Sequence, residues 1–189
     1  MKASPKPKTS LTKKDGRDWK ILDSLSLITL LIALSLALFK FRQKDAPAPL
    51  NLNSSLAERA DYITKLSFNG RVIIEKLYVI NGESEKGILG LSGIKNLDNS
   101  GMLFTYQKPQ EVRFWMKNMN IPLDIIWLGC DGTVLGAKQN ALPSEYPETY
   151  QSPKLNYVLE APAGFINKHQ LKLGDKLELN LSDPTKCSE

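Results

Sequence analysis

The pattern of apolar and polar residues begins with one long apolar run and continues as a series of short ones. Residues 21–39 form the long run, in which Asp23 is the only charge and four hydroxyl residues are the other polar positions. As an α-helix this segment would extend about 28 Å, close to the thickness of a bilayer's hydrocarbon core. It is apolar almost all round rather than along one stripe, which favours a transmembrane helix over an amphipathic soluble one.

The residues that flank this run predict an uncleaved anchor. Residues 1–20 are a basic tail with seven Lys and Arg, whereas only Lys40, Arg42 and Lys44 follow the run. This bias predicts a cytoplasmic N-terminus and an extracytoplasmic, periplasmic or outer-face domain. The Ala46-Pro47-Ala48 motif would suit a signal peptidase only poorly, because Pro49 follows it. We therefore expect a single-pass protein of the cell membrane, with the bilayer as partner through residues 21–39, a linker over 40–53 and one domain over 54–189.

The short runs of the domain indicate mainly β structure. Residues 55–66 have capping-box spacing and a helical apolar face, which predicts a short helix. The following runs are rich in β-branched and aromatic residues or alternate between apolar and polar, and they predict strands over 71–79, 101–106, 111–117, 124–129, 133–138, 155–160 and 176–181. Asp131-Gly132 predicts a hairpin turn, and 164–170 one helical turn. Short strands at this spacing favour a compact β-sandwich or small barrel.

Charge and motifs exclude several classes of function. Residues 1–45 carry a net charge of +6 and the remainder −1, so the basicity belongs to the anchor region and we expect no nucleic-acid partner. The sequence has no phosphate-binding loop and no dinucleotide fingerprint, so no cofactor is expected. Two cysteines and one histidine are too few for a zinc site, and no metal is expected.

Several segments resemble the domain of unknown function 192 family, in that family's order, over about residues 82–181. They are Gly87-Ile88-Leu89-Gly90-Leu91, Gly101-Met102-Leu103-Phe104, Arg113-Phe114-Trp115-Met116-Lys117-Asn118 with Ile121-Pro122-Leu123-Asp124, Asp131-Gly132, Val158-Leu159-Glu160, Ala163-Gly164 and Leu173-Gly174-Asp175. The resemblance implies a β-sandwich of jelly-roll type and no established activity. The family usually carries an Arg in the stretch that here reads Gly90-Leu91-Ser92-Gly93, so a role tied to that Arg is not carried over.

Polar and aromatic residues are densest between 115 and 124. Trp115 and Lys117 share one side of a strand, Asn118 follows, and Asp124 begins the return strand. One interpretation is a binding site for a small polar or envelope ligand, such as a saccharide. The other is a turn-stabilising network in which Asp124 accepts backbone N–H bonds and pairs with Lys117.

A second carboxylate, Glu160, ends another strand. A pair formed by Asp124 and Glu160 would indicate hydrolase chemistry, whereas a solvated Glu160 would have no such role. Tyr106 and Trp127 are expected in the core. Cys130 and Cys187 form a candidate disulfide in an oxidising compartment. The sequence therefore leaves three functions open: a binding or accessory module, a hydrolase, and a protein-interaction or purely structural domain.

Overall fold

The computed structural model describes residues 28–36 and 51–182. The chain divides into two compact units, residues 1–49 and 50–189. In the first unit residues 28–36 are helical. Among the described residues, no helix combines the length and the apolar character needed to cross a membrane. Most of the 21–39 segment lies outside the described residues, as do the basic tail and residues 40–50, and the transmembrane helix remains a prediction.

The second unit consists of nine strands and a few helical turns. The strands are β1 Tyr62–Phe68, β2 Arg71–Asn81, β3 Ser100–Gln110, β4 Arg113–Trp115, β5 Leu123–Leu128, β6 Val134–Ala141, β7 Thr149–Gln151, β8 Leu155–Pro162 and β9 Leu177–Leu179. The helices are α1 Leu56–Arg59, α2 Glu85–Leu89 and α3 Phe165–His169, with a 3-10 turn at Pro143–Glu145.

Seven of these strands form one curled sheet in the order β6-β5-β8-β3-β2-β1-β9, and β4 and β7 form a separate two-stranded ribbon. All pairings in the sheet are antiparallel except that of β2 with β3. The sheet curls until its two ends meet, because Thr133 bridges to Lys176 and the Leu177 N–H donates to the Gly132 carbonyl at 3.0 Å. The seam joins the start of β6 to the start of β9 and nearly closes a barrel.

The two faces of the curled sheet bury separate cores. The inner core draws side chains from all seven strands and is capped by Phe165 and Ile166 of α3. The outer core lies on the other face, with Met102, Phe104 and Ile125 among its buried members, and the β4–β7 ribbon contributes to its cover. The ribbon is held to the sheet by Phe114, whose ring packs edge-to-face on Phe104 with centroids 5.1 Å apart.

The prediction of mainly β structure is confirmed, and so are the hairpin at Asp131-Gly132 and the helical turn near 165. Three details differ. The capping box of Ser55 and Glu58 begins a helix, but the helix ends at Arg59 and residues 62–68 form β1. One curled sheet that nearly closes, with a small ribbon, replaces the predicted β-sandwich and corresponds to the alternative, a small barrel. Strand β7, between the predicted strands 133–138 and 155–160, and helix α2 were not expected.

Candidate functional site

The candidate site is a cavity of about 140 Å³ between the outer face of the sheet, the β4 strand of the ribbon and the α2 segment. Its sheet wall consists of Phe104 and Tyr106 from β3 and Glu160 from β8. All three residues of β4 line it, and so do Met119 and the residues around α2, namely Gly82, Gly87, Ile88, Leu89, Gly90, Leu91 and Ser92. A cavity of roughly 150 Å³ accommodates a molecule the size of benzene, so the space suits a small ligand or one group of a larger ligand.

Glu160 is the acidic group of this cavity, and its side chain is almost completely buried, with 5% exposure. Its position on β8 pairs with Met102 on one side and Ile125 on the other, so it points into the outer core. Within residues 51–182 its carboxyl group makes no hydrogen bond and no ion pair. Burial raises the pKa of Glu160 to about 8, because the charged form loses hydration without a compensating partner. The expectation of a solvated Glu160 is therefore wrong.

Tyr106 lies beside Glu160 and lines the same cavity. Burial raises the pKa of Tyr106, and the nearby charges of Glu160 and Glu83 raise it further. The ring lies directly on the backbone at Gly82, where an added Cβ would come within 2.4 Å of Cζ of Tyr106. Tyr106 is in the core, as expected, but its hydroxyl, like the Glu160 carboxyl, has no hydrogen bond to another described residue.

Trp115 and Arg113 form the outer rim of the cavity. Trp115 has 43% of its surface exposed, as a rim position requires. The Arg113 side chain is held along the ribbon because its Nε donates to Oε1 of Gln151 at 2.6 Å. Trp115 also lines an adjoining depression of about 170 Å³ together with Lys117 and Asn118. Five residues were candidates for ligand binding from the sequence. Of these, Trp115 and Glu160 line the cavity, and Lys117 and Asn118 lie next to it.

Asp124 is separated from the other four. It is 2% exposed, and its Oδ1 and Oδ2 accept the backbone N–H groups of Asn140 (2.8 Å) and Ile166 (2.9 Å). The carboxylate thereby links β6 and α3 to β5. It accepts backbone N–H bonds, as the turn-stabilising interpretation expected, but from a strand and a helix distant in sequence. Its expected partner Lys117 is exposed, and no ion pair joins the two residues.

The arrangement of β5 and β8 excludes the Asp124–Glu160 pair that the hydrolase hypothesis needs. Asp124 lies opposite Ala161, and Ile125 lies opposite Glu160. Directly opposed residues point to the same face and successive residues to opposite faces, so the two carboxylates point to different sides of the sheet. Asp124 faces the inner core with Ala161, and Glu160 faces the outer core with Ile125. The two groups cannot act together on one substrate.

The α2 wall of the cavity is positioned by Arg59, whose side chain is 1% exposed. Its five N–H donors are all used: they reach the carbonyl oxygens of Gly90, Ser92, Leu52 and Ser54 and the Ser54 hydroxyl at 2.7–3.0 Å. The stretch Gly90–Ser92 is where the resembling family usually has an Arg, and here the guanidinium that contacts it comes from α1. The local sequence around Arg59 does not indicate this role, since the Gly90 and Ser92 carbonyl groups lie 31 and 33 positions away.

The candidate disulfide involves Cys130, next to the β5–β6 turn, and Cys187. Cys130 is not a free thiol, but Cys187 lies outside the described residues, so the Cys130–Cys187 bridge remains a prediction.

One family model and two solved structures match this chain. The model of the domain of unknown function 192 family, described as an uncharacterised group, matches residues 76–179. A solved protein of unknown function from Novosphingobium aromaticivorans is 30% identical, with a TM-score of 0.56. The match covers 71% of this chain and 95% of that protein's chain. A proposed transcription regulator from Sinorhizobium meliloti is 28% identical, with the same TM-score of 0.56, and covers 63% and 95%. The search of curated proteins found no match.

Proposed function

We propose that this chain, which belongs to the uncharacterised domain of unknown function 192 family, is a binding module that takes a small polar ligand into the cavity around Glu160. One observation supports this most directly: a buried carboxyl group faces a cavity and has no partner within the described residues. Buried polar groups in folded proteins are nearly always hydrogen-bonded to protein or to ordered water, so this carboxyl group has bonding capacity free towards the cavity. A ligand that bonds to Glu160 would supply it.

The neighbouring residues support a ligand rather than a reaction. Tyr106 offers a second unpaired polar group, and Trp115 provides an aromatic edge at the entrance. No second carboxylate lines the cavity, because Asp124 points to the other face. The exposed apolar side chains Leu52 and Ile88 lie around the adjoining depression with Trp115, and we assign them to the rim of the same site rather than to a separate interaction surface.

The proposal includes the location predicted from the sequence. Residues 21–39 would anchor the module in the cell membrane, and the binding domain would lie outside the cytoplasm.

The test is a ligand screen by thermal unfolding of the full-length protein in a neutral detergent. A ligand present at 100 times its Kd should stabilise the wild type by about 2.7 kcal/mol. The same ligand should leave Glu160→Gln unaffected and should stabilise Glu111→Gln, whose side chain is exposed on the same domain. Ligands that stabilise all three proteins equally would contradict the assignment, and so would a broad screen of small polar compounds without any hit.

A further inference from the structure

Four of the fourteen residues that line the Glu160 cavity are aromatic. Phe104 and Tyr106 come from the sheet, and Phe114 and Trp115 from the ribbon. Two separate elements thus place four rings around one small space, and the edge-to-face contact of Phe104 with Phe114 fixes the angle between two of them. Aromatic faces carry partial negative charge and attract cations that lie within about 6 Å of the ring centre.

The polar groups of this cavity are few. Beside Glu160 and Tyr106, the side chains of Ser92 and Arg113 are the only polar ones in the lining, and Arg113 is already bonded to Gln151. A saccharide has hydroxyl groups around its whole ring, each of which needs a partner when it is buried. The four polar side chains share the lining with apolar ones, so only part of a saccharide ring would face a polar side chain. A ligand with one compact charge and an apolar surface fits the lining better.

We propose, resting on the proposed binding function, that the ligand carries a small organic ammonium group, methylated or quaternary, which enters the aromatic cage of Phe104, Tyr106, Phe114 and Trp115 and neutralises the buried carboxylate of Glu160. Aromatic cages recognise quaternary ammonium groups in this way. A trimethylammonium group is slightly smaller than benzene and fits a cavity of about 140 Å³. The ion pair would form at a carboxyl group that is only 5% exposed, where the attraction is stronger than in bulk water.

The charged groups around Glu160 are compatible with this ligand. Tyr106 on β3 and Arg113 on β4 are the other titratable residues in the cavity lining, and α2 contributes none. Arg113 is exposed and lies at the rim, so solvent screens its repulsion of a cation inside. Arg113, and Lys117 in the adjoining depression, would favour a ligand that also has an anionic group outside the cage.

The pH dependence of binding follows from the same pair of charges. An ammonium group binds the deprotonated form of Glu160, whose pKa in the empty cavity is raised to about 8 by burial. At pH 6.5 only about 3% of the empty sites are deprotonated, against about 90% at pH 9, so affinity should rise roughly 30-fold over this range. A neutral ligand that accepts a hydrogen bond from protonated Glu160 would show the opposite trend.

Titration of the full-length protein in dodecyl maltoside with choline and with its neutral isostere 3,3-dimethylbutan-1-ol tests the proposal. We expect the wild type to bind choline at least tenfold more tightly at pH 9 than at pH 6.5, and Glu160→Gln to bind it equally at both. Trp115→Leu should weaken choline binding more than fivefold. Glu111→Gln should bind choline as the wild type does. Equal binding of both compounds would overturn the ammonium assignment and leave the binding module standing. Binding of neither compound, when the general screen yields Glu160-dependent hits, would overturn it as well.

A further arm separates a lipid headgroup from a free ammonium compound. The full-length protein is reconstituted into phosphatidylglycerol vesicles with or without one third phosphatidylcholine. Weaker binding of added choline in the mixed vesicles would identify the headgroup as the ligand, and unchanged binding would identify a soluble compound. Both results support an ammonium ligand. Absence of choline binding in detergent and in both vesicles would overturn it.

Discussion

At the scale of single residues, Asp124 and Glu160 show that the surroundings of a carboxylate depend on the face of the sheet to which it points. They lie on neighbouring strands but on opposite faces of the sheet. Asp124 is buried with two backbone donors, whereas Glu160 is buried with none. The first therefore stabilises the fold, and the second is tolerated at a cost.

Replacing Asp124 by Asn should lower the free energy of unfolding by about 1–3 kcal/mol. Asn offers one acceptor oxygen instead of two, so the N–H of Asn140 or of Ile166 loses a charge-assisted bond in the interior. Urea unfolding measures the change. Asp98→Asn is a matched control, because Asp98 is exposed and its φ of 49° suits Asn; it should shift the free energy by less than 0.5 kcal/mol. Equal stabilities of the two variants would contradict the role given to Asp124.

Replacing Glu160 by Gln should stabilise the protein, and increasingly so as the pH rises. The folded protein retains a proton on Glu160 up to about pH 8, whereas the unfolded chain releases it near 4.5. Stability of the wild type therefore falls across this window, by up to about 1.4 kcal/mol per pH unit from this group, and the full cost is present above pH 8. The free energy of unfolding should be nearly the same for the variant and the wild type at pH 5. At pH 9 it should be much larger for the variant. A variant that is less stable at pH 9 would contradict the unpaired state of Glu160.

The amino-acid pattern could identify Glu160 and Trp115 as candidates but could not assign their surroundings. A Glu near the end of a strand is most often solvated, and local alternation indicates only which residues share its face. Glu160 faces a cavity whose other walls come from β4 and the α2 segment, both more than forty residues away in sequence. Tyr106 was expected only in the core, since nothing near it in sequence shows that a cavity would open between the sheet and its cover.

At the scale of elements, short helices and loops depend on long-range contacts for their positions. The helix predicted over 55–66 stops after one turn, because β1 gains pairing with both β2 and β9 that a helix could not make. The capping box was recognisable because its residues are three positions apart. The hydrogen bonds by which Arg59 anchors α1 to the cavity wall could not be recognised in the sequence, because they join segments that are distant along the chain.

Substituting Lys for Arg59 should lower the free energy of unfolding by about 2–4 kcal/mol. A single ammonium group cannot reach the carbonyl oxygens on both sides of the guanidinium, so at least two acceptors in buried or partly buried positions lose their partner. Chemical denaturation provides the measurement, and Arg71→Lys, at an exposed position, is the control with an expected change near zero. We also expect ligand affinity to fall in Arg59→Lys, since Gly90 and Ser92 line the cavity.

The seam that closes the sheet can be tested at Gly132. A Cβ at this position would lie 2.2 Å from the Leu177 carbonyl oxygen, so Gly132→Ala must open the contact between β6 and the start of β9. Gly70 has a similar positive φ but open space around it, and Gly70→Ala therefore shows the cost of the backbone conformation alone. We expect Gly132→Ala to be at least about 2 kcal/mol less stable than Gly70→Ala. Hydrogen exchange should show that the amides of β6 and β9 lose more protection in Gly132→Ala than in Gly70→Ala. An equal loss of stability in the two variants would contradict the closing contact between β6 and β9.

At the scale of the whole molecule, the prediction concerns the side of the membrane on which the domain lies. Seven basic residues before the apolar run and three after it predict that the N-terminus stays in the cytoplasm and that the domain is exported. A reporter active only outside the cytoplasm, fused after Glu189, should be active, and a reporter active only inside should not. Substituting the basic residues of the tail by Gln is the control, and should reduce export. Activity of the inside reporter alone would contradict the proposed location.

The opposite placement of Asp124 and Glu160 also has a consequence for how this scaffold can change over time. Substitutions on the outer face of β8 and β3 alter the cavity, while the inner face, with its cap α3 and its closing seam, retains its packing. New ligand preferences can therefore arise by changing residues such as Glu160 or Trp115 without a compensating change in the barrel. A laboratory selection that randomises the cavity lining should accordingly yield many folded variants, whereas the same diversity on the inner face should yield few.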